Sequence, residues 1–170
     1  MPDDFVFEPE KMLRSLAARK VEFVVIGGYG TVLHGSAHFT TDADVTPARS
    51  HGNLERLADA LRDMHARIRT AAEPDGLDLT CDAQFLSRMK MVNLVIRFGA
   101  LHISFEPAAS RGYEDLAKQA VSVHVAGVDV KVASLDDIIR SKETADRPKD
   151  RLALSHLYAL RDAIATRNEG

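Results

Sequence analysis

The sequence contains very little cysteine: Cys81 is the only one in 170 residues. A single cysteine excludes a disulfide within the chain and any zinc site built from several cysteines, so we expect an inert, reduced thiol. No stretch approaches the run of about 18 apolar residues that a membrane-spanning helix needs. The acidic start MPDDFVFEPEK also lacks the basic and apolar regions of a secretion signal. These absences predict a cytoplasmic protein that contacts no membrane.

An excess of positive charge is also missing. The 22 lysine and arginine residues are outnumbered by 25 aspartate and glutamate residues, which gives a formal net charge of −3. No overall basic field therefore draws the protein to nucleic acid, and any RNA contact requires a local patch. The hydrophobic content of 45% is enough for a core of ordinary size. We expect one domain over 1–170, with a core at 20–133 and C-terminal helices at 134–167.

Hydrophobic periodicity predicts alternating helices and strands in the first half. Residues 8–19 have the pattern of a short amphipathic helix, and the apolar run 21–26 is typical of a buried strand. Ser50 is suited to cap a second amphipathic helix that extends to about Ile68. The stretch 71–88 is irregular, with a short helix expected near its end.

Alternation of apolar and polar residues predicts two β-hairpins in the second half. The segments MVNLVIRF and LHISFEP flank Gly99-Ala100, which is short enough to link two antiparallel strands. The segment SVHVAGVDVKV alternates around Ala126-Gly127 in the same way. These patterns predict an α/β (α+β) fold class with a mixed sheet.

Two charged residues interrupt the apolar stripes of the predicted C-terminal helices. The first helix begins at the capping box Ser134-x-x-Asp137, and Lys142 lies on the same side as its apolar residues. Asp150 shares the inward side of the last helix, which begins near Pro148. Charged groups near an apolar face are costly unless they pair or contact a charged ligand. The two residues are therefore expected either to form a structural ion pair or to border a ligand cleft.

The stretch 21–47 carries the most informative motif. Its strand ends at Gly27 and Gly28, which let the backbone approach a ligand and lead into a helix whose N-terminal N–H groups attract anions. Asp42 and Asp44 lie two positions apart in an extended segment, so their carboxylates point to one side and can bind one Mg²⁺. This order predicts a phosphate site followed by a metal site. The alternative is a turn followed by two solvent-facing aspartates.

This stretch resembles the signature of the nucleotidyltransferase superfamily, the fold of DNA polymerase beta, and especially its AbiEii and minimal nucleotidyltransferase toxin-like branch. The similarity rests on Gly27-Gly28, Thr40 and Asp42-Ala43-Asp44, with His38 where the family usually has arginine. From Phe98 onwards the chain is similar to the C-terminal half of the same family. The resemblance therefore covers most of the chain, except 48–90 and the termini.

The resemblance implies a nucleotidyltransferase fold with a mixed β-sheet flanked by helices and a C-terminal helical segment. It implies transfer of a nucleoside monophosphate from a nucleoside triphosphate such as ATP, with Mg²⁺ held by Asp42 and Asp44. Lys142 and Asp150 match family residues that are needed for nucleotide binding or transfer. The residues implied to contact the nucleotide are Gly27, Gly28, Tyr29, His38, Thr40 and Lys142.

The sequence departs from the family at the third metal-binding carboxylate. Enzymes of this fold usually place that carboxylate on a neighbouring strand, and the alignment puts His102 at the matching position. His102, Ser104 and Glu106 share one face of their strand. His102 could act as a general base near neutral pH, Glu106 could substitute from the strand end, or catalysis could be lost.

The acceptor of the transferred group stays open. The family implies a tRNA 3′ end, a hydroxyl of a partner protein or a small antibiotic-like alcohol, and a role as the toxin of a toxin–antitoxin pair with a cognate antitoxin. The alternative is a catalytically degraded nucleotide- or partner-binding module of the same fold. The missing third carboxylate favours that module, whereas Asp42, Asp44, Lys142 and Asp150 favour an enzyme.

Overall fold

The computed structural model describes residues 6–37, 39–78 and 80–169, which form seven strands and seven helices. The strands are β1 (Phe23–Ile26), β2 (Asp42–Pro47), β3 (Arg67–Ile68), β4 (Met91–Ile96), β5 (Gly99–Ser104), β6 (Val121–Val125) and β7 (Val128–Val132). The helices are α1 (Pro9–Ala18), α2 (Gly27–Leu33), α3 (His51–Asp63), α4 (Ala83–Ser87), α5 (Tyr113–Ala117), α6 (Leu135–Ala145) and α7 (Pro148–Glu169). Within the described residues, no helix combines the length and apolar character that crossing a membrane requires.

The strands form one mixed sheet in the order β3-β4-β5-β2-β1-β7-β6. β1 runs parallel to β7 and β2 runs parallel to β5, while the other neighbouring pairs are antiparallel. This order places β2, which carries Asp42 and Asp44, directly beside β5, which carries His102. The mixed sheet flanked by helices confirms the predicted fold class.

Hydrophobic clusters cover both faces of the sheet. In β1, Phe23 and Val25 face a large cluster that includes residues of α1 and α3, whereas Val24 faces a smaller cluster that includes residues of α6 and α7. The alternation follows from the two-residue period of a strand. The second cluster joins β1 to the C-terminal helices. The division into a core at 20–133 and helices at 134–167 stays a prediction.

The helices α6 and α7 leave part of their face of the sheet open. Met91 on β4 is 59% exposed, and Asn93 on the same strand is exposed too. Asn93 is paired with His102, and His102 is paired with Asp44 on the next strand. Cross-strand partners project from the same side of a sheet, so this open region begins directly beside the predicted metal ligands.

The second predicted helix ends earlier than its apolar pattern indicated. Ser50 caps α3 as predicted, because its Oγ accepts a hydrogen bond from the Asn53 backbone N–H at 3.3 Å. However, α3 ends at Asp63, and His65 follows with a positive φ of 56°. The prediction of a helix to Ile68 was therefore wrong: β3 pairs with β4 instead, since sheet hydrogen bonds there replace the last helical turn.

The first predicted hairpin has a different link, whereas the second is confirmed. Gly99 and Ala100 are the first residues of β5 and pair with β4, so the turn lies at 97–98 and the prediction of a Gly99-Ala100 link was wrong. Gly99 has a φ of +118°, and a Cβ there would lie 2.5 Å from the Val6 carbonyl oxygen, so a glycine suits this strand start. Ala126-Gly127 links β6 to β7 as predicted, with positive φ at both residues.

The serine N-cap and the break predicted for the C-terminal helices are confirmed. Ser134 Oγ accepts a hydrogen bond from the Asp137 N–H at 3.0 Å at the start of α6. The helix α6 ends at Ala145, its C-cap residue Asp146 has a left-handed backbone conformation, and Pro148 begins α7. This short break turns the chain between the two helices. The end of α6 and the start of α7 therefore both lie beside the open part of the sheet.

Candidate active site

Asp42, Asp44 and His102 converge at one point above the sheet. The parallel register of β2 and β5 pairs Asp44 with His102 and Asp42 with Ala100. His102 Nδ1 lies 3.2 Å from Asp44 Oδ1 and 3.7 Å from Asp42 Oδ2. One ligand atom from each of the three residues lies within 4.8 Å of the others. Two neighbouring strands thus bring together two carboxylates and one imidazole nitrogen.

A divalent cation fits this donor set. In an octahedral site with metal–ligand bonds of about 2.1 Å, neighbouring ligand atoms are about 3.0 Å apart. The separations of 3.2 Å and 3.7 Å are close to that value. The three side chains are 34%, 27% and 29% exposed, in the order Asp42, Asp44 and His102, so water or phosphate oxygens can reach the remaining coordination positions.

The two aspartates also change the protonation of His102. A hydrogen bond with Asp44 raises the pKa of His102 above its ordinary value. Burial acts in the opposite direction, as does the positive charge of Arg69, but the hydrogen bond and the negative charges of Asp44 and Asp42 together outweigh them. Binding of a cation through Nδ1 therefore competes with protonation of His102.

Gly27 makes room for the Asp44 carboxylate. Its φ is +67°, and a Cβ at this position would overlap Asp44 Oδ2 and lie 3.1 Å from Asp44 Cγ. A side chain at Gly27 therefore requires the Asp44 carboxylate to move. Gly27, the first residue of α2, thus lies directly against the predicted metal ligand Asp44.

Gly27→Ala is expected to weaken metal binding by about tenfold or more, because even groups that only orient a metal ligand change affinity by about 10–100-fold. Gly127→Ala is the matched control: its φ is +81°, yet a Cβ there would have nothing within 4 Å. Both variants carry the backbone strain of a left-handed alanine, so both should melt earlier. Isothermal titration with divalent metal separates them. Equal metal affinity in the two variants would contradict the assigned contact.

A cleft of about 530 Å³ extends from the three residues to the C-terminal helices. One wall is the open face of β4 and β5, and the other wall is formed by α6 and the start of α7. Gly27, Asp42, Asp44 and His102 line one part of it. Its further polar lining includes Asn93, Ser104, Glu106, Lys142, Arg147 and Lys149.

A second cavity of about 580 Å³ lies near His65 and Cys81 and shares no lining residue with this cleft. Burial raises the pKa of the Cys81 thiol above its ordinary value, and the negative charge of Asp82 adds to the effect. The raised pKa favours the protonated, unreactive form that the sequence predicts for this residue.

Asp150 is fully buried at the start of α7, where two cations surround it. Arg147 donates to it from Nε at 2.7 Å, from Nη2 at 3.2 Å and from the backbone N–H at 3.1 Å. Lys142 Nζ lies 3.6 Å from Asp150 Oδ1. Burial alone would raise the pKa of Asp150, but the hydrogen bonds from Arg147 and the charges of Arg147 and Lys142 hold it below its usual value.

Arg147 is one of the cleft residues that the sequence predictions missed. Its side chain is 56% exposed and covers the buried Asp150 carboxylate. The sequence segment Asp146-Arg147-Pro148 signalled only a break between helices. The spacing of three residues between Arg147 and Asp150, around a helix start, is the signal that could have indicated their hydrogen bonds.

The other predicted nucleotide contacts lie in different places. Tyr29 is buried in the larger hydrophobic cluster, with its ring centroid 6.2 Å from that of Phe7. Thr40 Oγ donates a hydrogen bond to the Asp42 carbonyl at 2.9 Å, which fixes the entry to β2. Of the described residues, Gly28, Tyr29 and Thr40 do not line the cleft. His38 lies outside the described residues.

Solved structures of two proteins are similar to this chain along nearly its full length. The lincomycin-bound crystal structure of the lincosamide antibiotic adenylyltransferase LnuA has a TM-score of 0.61 at 16% sequence identity, and the match covers 92% of this chain and 99% of that chain. The crystal structure of ANT(2″)-Ia in complex with adenylyl-2″-tobramycin has a TM-score of 0.53 at 17% identity, with 94% of this chain and 96% of that chain covered. A solution structure of the antibiotic-resistance factor ANT(2″)-Ia has a TM-score of 0.52 at 17% identity and covers 95% of this chain and 93% of its own. No protein-family model and no curated protein sequence matches the chain.

The likeness to these structures shows the fold. It confirms the predicted nucleotidyltransferase fold, with a mixed sheet flanked by helices and a C-terminal helical segment. The AbiEii and toxin-like branch is not singled out by these similarities and stays a prediction from the sequence.

Proposed function

We propose that the protein is a metal-dependent nucleotidyltransferase that transfers a nucleoside monophosphate from a nucleoside triphosphate to a hydroxyl of a small molecule. The observation that carries this proposal is the cleft, which joins Asp42, Asp44 and His102 to Lys142 and Arg147. A metal-binding group and a cationic group in one cleft suit a triphosphate, whose oxygens can contact both.

The proposed roles follow from the positions of the side chains. Asp42, Asp44 and His102 hold a divalent cation, which when bound neutralises negative charge on the triphosphate and on the departing pyrophosphate. Lys142 and Arg147 bind phosphate oxygens from the opposite wall of the cleft. Asp150 is a positioning residue, because its two hydrogen bonds to the Arg147 side chain fix the plane of the guanidinium.

In the proposed reaction the acceptor oxygen forms a bond to the α-phosphorus. The bond between the α-phosphorus and the oxygen that bridges to the β-phosphorus breaks, and pyrophosphate leaves with that oxygen. The hydroxyl proton passes to a base or to water. Glu106 is exposed, lines the cleft just beyond the end of β5, and is our candidate for that base.

The cleft size favours a small acceptor. A volume of about 530 Å³ lies within the range of small-molecule sites. The proteins with a similar fold are named as antibiotic adenylyltransferase and antibiotic-resistance factor, and one of them holds an adenylylated aminoglycoside. These names support ATP as the donor and an antibiotic-like alcohol as the acceptor. The formal net charge of −3 gives no support to a polyanionic acceptor such as tRNA.

The test is a transfer screen with each of the four labelled nucleoside triphosphates. The acceptors are lincomycin, tobramycin, total tRNA and a protein lysate, with Mg²⁺, with Mn²⁺ or with chelator, and with Asp42→Asn combined with Asp44→Asn as the background. We expect metal-dependent label in a small molecule. Label in tRNA or in protein would replace the proposed acceptor class by one implied by the sequence resemblance, and label in a co-purifying protein would support a cognate antitoxin.

A second candidate function is a nucleotide- or partner-binding module that has lost catalysis. His102 favours it, because its imidazole lies 3.2 Å from Asp44 and 3.7 Å from Asp42 and, when protonated, places a positive charge between the two carboxylates without a metal. This candidate predicts nucleotide binding that is unchanged by chelator, and no transfer to any acceptor. The transfer screen and a nucleotide titration with and without chelator therefore decide between the two.

Lys142→Ala is expected to lower nucleotide affinity by about ten- to a hundredfold, since a hydrogen bond to a charged group contributes about 1.5–3 kcal/mol. Calorimetric titration measures this loss, and thermal melting of Lys142→Met measures any purely structural role. Arg151→Ala is the control, because Arg151 pairs with Asp146 on the exposed side of the same break. A lower melting temperature in Lys142→Met combined with unchanged nucleotide affinity would show that Lys142 and Asp150 form only a structural pair.

A further inference from the structure

We propose that the cation site selects a first-row transition-metal dication over Mg²⁺, and that His102 is the residue responsible. This inference rests on one part of the proposed function, namely that Asp42, Asp44 and His102 hold a cation. It differs from the Mg²⁺ expected from the sequence resemblance, because that expectation belongs to sites whose ligands are all carboxylates.

The chemistry of the donor atoms carries the inference. Mg²⁺ is a hard cation that favours oxygen ligands and loses its water reluctantly. An imidazole nitrogen is a softer donor that suits zinc, iron, nickel and copper ions, whereas carboxylates also accept manganese. A site of two carboxylates and one imidazole nitrogen can therefore bind Mg²⁺ and each of these transition-metal dications. The nitrogen adds affinity for a transition metal and little for Mg²⁺.

The position of His102 in the sheet places its imidazole beside any ion that both aspartates bind. β5 has a partner strand on each side, with His102 paired to Asn93 on β4 and to Asp44 on β2. The neighbouring residues Leu101 and Ile103 are fully buried on the other face. The backbone at His102 is therefore fixed, and its Nδ1 already lies 3.2 Å from an Asp44 oxygen and 3.7 Å from an Asp42 oxygen. An ion bound by both aspartates must lie next to this nitrogen.

The test measures metal binding to the full chain without nucleotide or acceptor. Mn²⁺ is titrated by electron paramagnetic resonance, which counts free ion, and Mg²⁺ is then added as a competitor. Mn²⁺ binds most weakly among the first-row ions, so a preference for Mn²⁺ over Mg²⁺ implies at least as strong a preference for Co²⁺ or Zn²⁺. We expect Mn²⁺ to bind at least about tenfold more tightly than Mg²⁺. Spin-echo modulation from a coordinated ¹⁴N nucleus should be present in the wild type.

The variants assign the preference to one side chain. In His102→Asp the nitrogen modulation should vanish and the Mn²⁺ to Mg²⁺ affinity ratio should fall by about tenfold or more, since even outer-shell changes cost about 10–100-fold in metal affinity. His124→Asn is the matched control, because His124 Nδ1 contacts Asp129 at 2.7 Å on the exposed β6–β7 hairpin. It should keep both the modulation and the ratio.

Two results would overturn the inference. One is bound Mn²⁺ without nitrogen modulation in the wild type, a measurement that needs no variant and so does not depend on whether His102→Asp folds. The other is an affinity ratio that is the same in the wild type and in a folded His102→Asp protein. The proposed function is tested separately. Nitrogen-coordinated Mn²⁺ with no transfer to any acceptor would contradict the proposed transferase activity and support the metal preference. Mg²⁺-supported transfer by a protein whose bound Mn²⁺ shows no nitrogen modulation would support the activity and contradict the metal preference.

Discussion

Replacing Asp42 and Asp44 together by asparagine is expected to remove metal-dependent nucleotide binding and to lower transfer by about a thousandfold or more. Asparagine keeps the size of the side chain but removes both negative charges from the site. A catalytic metal supplies several kcal/mol of transition-state stabilisation, and each ~1.36 kcal/mol corresponds to a factor of ten in rate. Initial rates of transfer and calorimetry of nucleotide at a saturating divalent metal concentration measure the two losses.

The control for this variant makes the same change of charge elsewhere. Asp59 and Asp63 lie on α3 and pair with Arg62 and Arg19 at the surface. Asp59→Asn combined with Asp63→Asn should therefore leave metal binding and transfer as they are. If nucleotide binding in the Asp42 and Asp44 double variant stays metal-dependent and of wild-type affinity, the metal site lies elsewhere in the protein.

Asp150→Ala is expected to lower the free energy of unfolding by about 3 kcal/mol, near the low end of the range for breaking a buried ion pair. The low end applies because Arg147 is 56% exposed and regains contact with water, whereas Lys142 is only 18% exposed and loses its buried partner. Urea unfolding at neutral pH measures the loss. Asp63→Ala removes an aspartate from an exposed pair with Arg19 and should cost much less. Similar losses in the two variants would show that Asp150 contributes no more than a surface residue.

The pH dependence of unfolding gives a second measure of the same carboxylate. Because the pKa of Asp150 is lowered in the folded protein, its stabilising effect is complete above the unfolded-state pKa of about 3.9. The effect is lost as the pH falls below that value toward the lower folded-state pKa. The stability difference between the wild type and Asp150→Asn should therefore be constant near neutral pH and shrink below about pH 4. A difference that does not change with acidification would mean that the folded protein does not favour the Asp150 carboxylate.

Local signals predicted most helices and strands because each depends on a few neighbouring residues. Ser50 and Ser134 cap helices through hydrogen bonds three residues away, and Ala126-Gly127 forms a turn through its own φ angles. The errors arose where a distant segment decides the local structure. β3 is held by β4 and Gly99 lies against Val6, and neither contact is visible in the residues next to it.

The candidate site divides in the same way. The spacing of Asp42 and Asp44 predicted two carboxylates on one side, and β2 places them so. The resemblance placed His102 at the third position, but only the β2–β5 register shows its nitrogen beside both carboxylates. Arg147 was missed because its place in the cleft depends on how α6 and α7 pack on the sheet. The roles of all these residues in catalysis stay predictions.

The attachment of α7 gives the two halves of the cleft unequal resistance to local unfolding. Of the 22 residues in this helix only Asp150 and Leu157 are buried, whereas Asp42, Asp44 and His102 are held by strands that are paired on both sides. Amide hydrogens in α7 should therefore exchange with solvent through small openings that leave the sheet intact. A triphosphate that bridges the two halves would slow that exchange, so hydrogen-exchange mass spectrometry could report nucleotide binding as protection of α7, far from the metal ligands in sequence.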